Sequence, residues 1–323
     1  YDFVVNHSID PWVIATEYNN YYQFLLKLKE EVPSLSSYEN SVLSMLSLEI
    51  LNGKRKHEIL LLELLVVENA VERERFIESL TEHNCLTDDA TLQSVNQVLS
   101  LSFFTQNDCK KYGEQPLVYL DEDNVYRFNE NISKSLAANP YFKTMVMDIV
   151  ISAKEKSYAY DSHQALTLYK KYTRKDACRL LNWENDESST MYGYKTKHQT
   201  CPIFVTYHKN DEVEASVNYG DEFINAEVLK WFTRSNRKLT SPEVKTIIEA
   251  KENQIDVHIF VKKDDDEGRD FYYLGKACPD QSTVEQTVML DKEQKEIPVV
   301  TMNMVFEKPI EYKLYDYLVE GVE

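Results

Sequence analysis

Aromatic, acidic and basic side chains crowd together between Tyr192 and Val244. An aromatic ring can stack on a nucleobase, a carboxylate can accept a hydrogen bond from the amino group of cytosine, and Arg, Ser and Thr can bind phosphate. The candidates for a base pocket are Tyr192, Tyr194, Tyr207, Tyr219, Asp221 and Trp231, and the candidates for DNA-backbone contact are Thr233, Arg234, Ser235, Arg237 and Lys238. This combination predicts local contact with nucleic acid.

Each part of this segment also has a plain structural interpretation. Asp221 could cap a helix over residues 222–229, since short polar side chains satisfy free amide donors at helix starts. The basic cluster of Lys230, Arg234, Arg237 and Lys238 could be a solvated surface face. Phenylalanines 204, 223, 260 and 271 are expected in the core rather than in a pocket.

No motif for catalysis or metal binding is found. The sequence has no phosphate-binding loop of the G-x-x-x-x-G-K type, no G-x-S-x-G elbow and no H-x-K pair. Cys201 and His208 would lie on opposite faces of one strand, which argues against a Cys/His hydrolase. The scattered His and Cys residues predict no zinc site, and the acidic run 264–268 lacks the spacing of a calcium loop. We therefore expect no catalytic residues, no metal and no cofactor in this chain.

Composition limits the other classes. A chain of 323 residues that is 43% apolar can form two domains, and a net charge of -18 argues against a uniformly basic nucleic-acid coat. We expect a soluble protein, because no apolar run approaches the roughly 20 residues of a membrane span. The odd number of cysteines, five, fits a reducing cytoplasm. The chain opens with Tyr1-Asp2 rather than Met, so we interpret it as a fragment.

The first half has helical periodicity. The clearest predicted helices are 21–28, 38–51, 56–80 and 88–102, with helix starts at Ser37 and at Thr87 to Asp89. Residues 116–128 alternate around an acidic turn and predict a hairpin. This hairpin could belong to a winged-helix arrangement, or it could merely cap a helical bundle, because no basic recognition helix precedes it.

After Trp183 the pattern changes to alternation. Strand-like runs cover 201–208, 256–262, 271–276 and 299–306, and several short strands with one or two helices indicate a compact, partly closed β-barrel. The sequence thus predicts an α+β protein, with a mainly helical domain at 1–155 and a β-barrel domain at 156–323.

A family resemblance covers about residues 165–323. Its motifs are Tyr172-Thr-Arg-Lys-Asp-Ala-Cys-Arg-Leu-Leu-Asn-Trp183, Tyr192-Gly-Tyr194, Phe204-Val-Thr-Tyr207, Asn218-Tyr-x-Asp-x-Phe223, Trp231, Ser235, Ser241-Pro-Glu-Val244, His258-Ile-Phe-Val-Lys-Lys263 and Phe271-Tyr-Tyr-Leu-Gly275. In order and spacing they resemble the C-terminal domain of staphylococcal-type, ATP-dependent type IV restriction endonucleases, which carry a phospholipase D nuclease and a helicase.

The resemblance implies a function for each half. The first half would be a helical coupler, and the second an SRA-like (PUA-related) domain that flips 5-methylcytosine or 5-hydroxymethylcytosine out of DNA. The partners it implies are DNA with a modified cytosine, upstream helicase and nuclease domains of the same chain that use ATP and Mg²⁺, and a second copy in a homodimer. The alternative left open is a protein-interaction module without base recognition, which the acidic net charge favours.

Overall fold

The structure, a computed structural model, describes residue 6 and residues 10–208, 220–290 and 295–321. The chain divides into two compact units. The first consists of Tyr1–Leu166 with Glu184–Asp186, and the second of Thr167–Trp183 with Glu187–Glu323. The sequence placed the boundary near residue 155, which lies inside the helix Pro140–Ser157. Helices and strands occur in both units, so the protein is of the mixed α+β class.

Helices dominate the first unit. They are α1 (Trp12–Tyr18), α2 (Tyr21–Lys27), α3 (Ser37–Met45), which continues into a π-helical turn (Leu46–Ile50), α4 (Lys56–Glu68), α5 (Arg73–Glu82), α6 (Asp89–Leu99), α7 (Gln106–Lys111), α8 (Glu130–Ala138) and α9 (Pro140–Ser157). Short polar side chains start several of them. Ser36 and Glu39 form a capping box, and the Asp88 carboxylate accepts a hydrogen bond from the Thr91 amide. The predicted starts are therefore confirmed to within one residue.

The predicted single helix over 56–80 is wrong. Asn69 adopts a left-handed conformation (φ 62°) and ends α4. Asn tolerates this conformation because its short side chain can hydrogen-bond locally. Strand β1 (Ala70–Glu72) follows and pairs with a distant hairpin before α5 begins. Tertiary pairing has overridden the helical periodicity.

The hairpin predicted at 116–128 is confirmed as β2 (Val118–Leu120) and β3 (Val125–Phe128). With β1 it forms an antiparallel sheet in the order β1-β3-β2. The succession α4, β1, α5, α6, β2, β3 is that of a winged helix, in which α6 takes the place of the recognition helix. The Asp121 carboxylate holds the wing turn by accepting the amides of Asp123 and Val125.

The second unit is built on one large sheet. Its described strands are β4 (Lys171–Tyr172), β5 (Thr200–Thr206), β6 (Glu222–Asn225), β7 (Val228–Phe232), β8 (Asp256–Lys262), β9 (Phe271–Leu290) and β10 (Glu296–Phe306). The order is β5-β8-β9-β10-β7-β6, with β4 beside β9; β5 and β8 run parallel and the other pairs antiparallel. The helices are α10 (Arg174–Leu180), α11 (Pro242–Ile248) and α12 (Tyr312–Val319).

The two ends of this sheet approach each other. Tyr207, which follows β5, packs its ring against Phe223 of β6 with the centroids 5.1 Å apart. Tyr194, bridged to Ile203 of β5, meets Trp231 of β7 edge to face, also at 5.1 Å. The sheet therefore curls around an apolar core, as expected for a partly closed barrel. The second unit also contains the predicted core phenylalanines, which are all buried.

Part of the sheet extends beyond its neighbours. Strand β7 pairs with β10 only from Thr301 to Val305, whereas β9 pairs with β10 as far as Leu290 and Glu296. Residues 285–290 and 296–300 consequently form a two-stranded ribbon. Isolated two-stranded ribbons are marginally stable in water, so this one depends on what packs along its edge.

Candidate nucleic-acid interface

The basic loop, residues 233–241, connects β7 to α11. Its two arginines share one carboxylate, because Arg234 and Arg237 both form ion pairs with Glu243 in the first turn of α11. The Nη2 atom of Arg234 lies 2.6 Å from Oε2 of Glu243. The hydroxyl of Tyr194 donates to the same carboxylate over 3.2 Å, and the guanidinium of Arg234 lies 5.2 Å from the centroid of the Tyr194 ring.

This cluster changes the titration of its members. Partial burial alone would raise the pKa of Glu243, but hydrogen bonds and charge from Arg234 and Arg237 outweigh it, so the pKa lies below the usual value. Burial and the neighbouring Glu243 carboxylate raise the pKa of Tyr194. At neutral pH the cluster thus holds two cations and one anion. The sequence did not reveal Glu243 as the partner of these arginines.

The basic loop is fastened along the ribbon. The Arg237 amide donates to the Pro298 carbonyl (3.0 Å), and the Leu239 amide donates to the side-chain oxygen of Gln286 (3.0 Å). The Gln286 amide group in turn donates to the Val299 carbonyl at 2.9 Å. Beside this junction lies an open cavity of about 460 Å³, which is lined by Lys238, Gln286, Thr287, Val288 and Pro298.

The candidate backbone contacts differ in how available they are. Thr233 is fully buried, and its hydroxyl accepts the Val300 amide at 2.9 Å, so it serves the sheet. Ser235 is partly exposed, and Lys238 is exposed beside the cavity. Arg234 and Arg237 keep about a quarter of their side chains exposed, at 27% each. These two and Lys238 are the candidates whose charge reaches solvent.

The six pocket candidates do not form a single cluster in the described residues. Tyr194 and Trp231 contact each other but are only 4% and 3% exposed, so their rings fill the core rather than an open wall. Tyr207 is half-buried against Phe223. Tyr192 is 68% exposed. Tyr219 lies outside the residues that the structure describes.

Asp221 lies at the start of the β6–β7 hairpin. Its carboxylate accepts the Phe232 amide at 3.0 Å. The alternative of a helix over 222–229 is wrong, because these residues form the strands β6 and β7. Phe232 is a half-buried ring that the sequence reasoning passed over, with the Lys230 ammonium 5.6 Å from its centroid. Side chains alternate along a strand, so Phe232 faces away from Trp231, but the sequence did not show which of the two faces is buried.

The winged helix of the first unit lacks the charge of a typical DNA reader. Helix α6 (Asp89–Leu99) contains no Lys or Arg, and its N-cap and first residue are both Asp. The wing turn, residues 121–124, is Asp-Glu-Asp-Asn. Duplex DNA is densely anionic, so these surfaces would repel it. Any DNA contact of the described residues is better suited to the second unit.

The part of the chain that the structure describes contains neither a metal-binding cluster nor a membrane-spanning helix. No group of three or more His, Cys, Asp or Glu side chains there is arranged to hold a metal ion. In the same part of the chain, none of the helices is both long enough and apolar enough to span a membrane.

The fold and the site define a two-unit mixed α+β protein, in which a unit with winged-helix topology precedes a curled sheet that carries a basic loop. The chain belongs to the family described as "Domain of unknown function (DUF8090)", whose model matches residues 1–162. A second family model, described as "Domain of unknown function (DUF3427)", matches residues 166–318. None of the curated proteins matches this chain.

Several solved structures are distantly similar. The "DNA modification-dependent restriction endonuclease AspBHI" is 11% identical over 46% of this chain and 77% of its own, with a TM-score of 0.30. The "Sulfur binding domain and SRA domain of ScoMcrA complexed with phosphorothioated DNA" is 9% identical over 81% and 90%, with a TM-score of 0.28. KRYPTONITE "in complex with mCHG DNA and SAH" is 10% identical over 45% of this chain and 32% of its own, with a TM-score of 0.26.

Proposed function

We propose that the second unit is an SRA-like, non-catalytic domain that recognises DNA carrying 5-methylcytosine or 5-hydroxymethylcytosine by base flipping. In this proposal it is the target-recognition part of a type IV restriction endonuclease. ATP and Mg²⁺ would be used by helicase and nuclease domains elsewhere in that enzyme, in the cytoplasm. The first unit would couple recognition to those domains.

The observation that carries the proposal is the open cavity beside the basic loop. Lys238 lines it, and Arg237 is anchored to Pro298 on its rim. Asp221 accepts a hydrogen bond from the amide of Phe232, the residue directly before the basic loop. In the proposal the everted nucleotide lies beside the basic loop. Asp221 would accept a hydrogen bond from the cytosine amino group. The base would stack on Phe232, Tyr192, Tyr207 or Tyr219. Tyr194 and Trp231 would act from beneath by supporting the Arg234 cluster.

The expected binding energies agree with separate roles for the base contacts and the phosphate contacts. Extruding a base costs a few kcal/mol, and stacking returns about 1 to 3 kcal/mol per base. Burying one added methyl group contributes only about 0.8 kcal/mol. The remaining affinity would come from phosphate contacts by Arg234, Arg237, Lys238 and Ser235, which weaken with salt. Strong discrimination would therefore need two such domains on one DNA, for example in a homodimer.

The test is an isosteric change at the proposed base contact. Asp221→Asn keeps an oxygen that can accept the Phe232 amide, but it places an amide group where the cytosine amino group needs an acceptor. We expect affinity for a methylated duplex to fall toward that for an unmethylated one, because the flipped base loses the acceptor for its amino group. The added methyl group contributes about 0.8 kcal/mol, so the loss of preference is expected to be about fourfold. Binding of the unmethylated duplex should change little.

The matched control is Asp266→Asn, which removes the same charge from an exposed position in the β8–β9 connection. It should leave both affinities unchanged. If Asp221→Asn behaves like this control, Asp221 does not read the base. If the unaltered protein shows no methyl preference at any salt concentration, the proposed function is wrong.

A second candidate function is a protein-interaction module of a helicase-nuclease without base recognition. The net charge of -18 and the acidic winged helix favour it. A gel shift at low salt with matched methylated and unmethylated duplexes separates the two candidates. An interaction module would shift neither duplex.

A further inference from the structure

Arg174, the first residue of α10, lies between two aromatic rings of the curled sheet. Its guanidinium carbon is 5.5 Å from the centroid of Phe204 and 5.4 Å from that of Phe271. The two rings pack against each other edge to face at 5.1 Å, and Phe204 also stacks on Phe260 at 4.6 Å. Such contacts hold the two rings in place beside the guanidinium.

The charge of Arg174 has no carboxylate partner among the residues that the structure describes. Its Nε atom is buried without a hydrogen-bond acceptor. Burial lowers the pKa of the guanidinium, with no neighbouring anion to oppose the shift. Lys262 also lies over the Phe271 ring, at 5.2 Å, but its ammonium is paired with Asp265 at 2.9 Å.

Several other arginines of the chain form ion pairs with carboxylates. Arg55 is bound by Glu58 and Ser94, and Arg234 and Arg237 share Glu243. A desolvated, unpaired guanidinium is costly, because a buried charge needs a partner. A fold that keeps Arg174 half-buried between two rings therefore holds a cation that an anion from outside could pair with.

The geometry also indicates which kind of anion would fit. An aromatic ring attracts a guanidinium without accepting conventional hydrogen bonds from it, so the Nη donors of Arg174 remain for an anion. These donors form a fork that matches two oxygens of a phosphate group. A phosphodiester has two such oxygens and one negative charge.

We infer that Arg174 is a pre-organised phosphate contact for the DNA backbone, separate from the basic loop. The inference rests on the proposed function for its ligand. It assigns Arg174 a positioning role, because phosphate contacts fix the register of a protein on DNA and carry no base information directly. Replacing Arg174 should weaken binding to methylated and unmethylated duplexes by the same factor.

The test uses the full chain and the salt dependence of duplex binding. Each phosphate contact contributes about 0.9 to the slope of log affinity against log salt concentration. For Arg174→Ala we expect the slope to fall by about 0.9 on both duplexes. The ratio of unaltered to variant affinity should then shrink about 3.5-fold between roughly 50 and 200 mM salt. Arg174→Lys keeps the charge but loses the fork, so it should retain the slope and bind more weakly.

The control is Arg75→Ala, which removes the same charge from a partly exposed helix position in the first unit. It should leave the slope unchanged. An unchanged slope for Arg174→Ala, or a loss confined to the methylated duplex, would overturn the inference. A lowered thermal midpoint with an unchanged slope would overturn it too, since Arg174 would then serve a group of its own chain. If the protein binds both duplexes equally, the proposed function is wrong but the slope test remains valid. If it binds no DNA, the proposed function and the inference about Arg174 are both wrong.

Discussion

Trp231 provides the sharpest test of what the barrel core does. The sequence predicted it as a wall of a base pocket, whereas the structure buries all but 3% of it against Tyr194 and opposite Met302 of β10. Truncating a buried Trp to Ala costs about 3 to 5 kcal/mol. For a unit of roughly 150 residues, each kcal/mol lowers the unfolding midpoint by about 2 to 4 °C. We therefore expect Trp231→Ala to lower the midpoint of the second unit by about 6 to 20 °C.

The assay is thermal unfolding by circular dichroism, combined with duplex binding well below the midpoint. Because Trp231→Ala could prevent folding altogether, Trp231→Phe gives a second measurement, with an expected cost of about 1 to 3 kcal/mol. Tyr312→Ala is the control, since a ring that is 74% exposed should change stability by no more than about 0.5 kcal/mol. If Trp231→Ala leaves the midpoint unchanged and abolishes DNA binding, Trp231 is a pocket wall and the assignment to the core is refuted.

Two further predictions concern charge. Glu243→Gln should release Arg234 and Arg237 from their shared carboxylate and so raise the affinity for both duplexes. The slope of log affinity against log salt concentration should steepen by about 0.9. A salt titration measures this slope, and an unchanged slope would show that the carboxylate does not limit the arginines. Burial lowers the pKa of His57 and His258 to about 4, whereas the value in the unfolded chain is near 6.5. Between these two values the unfolded chain binds more protons than the folded chain, so stability falls as the pH falls. Between pH 7 and 5 each histidine should cost its unit about 2 kcal/mol, and His57→Gln and His258→Gln should flatten urea-denaturation free energies against pH; parallel pH profiles for variant and unaltered protein would contradict this.

The amino-acid pattern predicted the elements whose signal lies within one short stretch of the chain. Strand β8 was predicted at its observed bounds, 256–262, and the hairpin β2–β3 was predicted from alternation around an acidic turn. Each of these signals lies within a dozen residues. The helix break at Asn69 was missed because the strand that follows it is stabilised only by pairing with β3, far away in sequence.

The candidate site was harder to predict for a related reason. Alternation in β7 tells which residues share a face with Trp231, but it does not tell which face is inside. That depends on the curl of the sheet, which brings Tyr194 from one end against Trp231 from the other. Likewise the basic cluster was visible in the sequence, whereas its neutralisation by Glu243 required the turn that folds α11 back onto the loop.

The pairing of Arg234 and Arg237 with Glu243 bears on how such a domain could be selective. Phosphate contacts strengthen binding to every sequence, so a domain with many free cations would be held by unmodified DNA. A preference of only about 1 to 3 kcal/mol for one modified base would then be lost among the many competing sites. An acidic chain whose loop arginines are partly neutralised keeps the sequence-independent affinity low. In the proposed function, the paired arginines therefore let a small pocket preference decide where the protein binds.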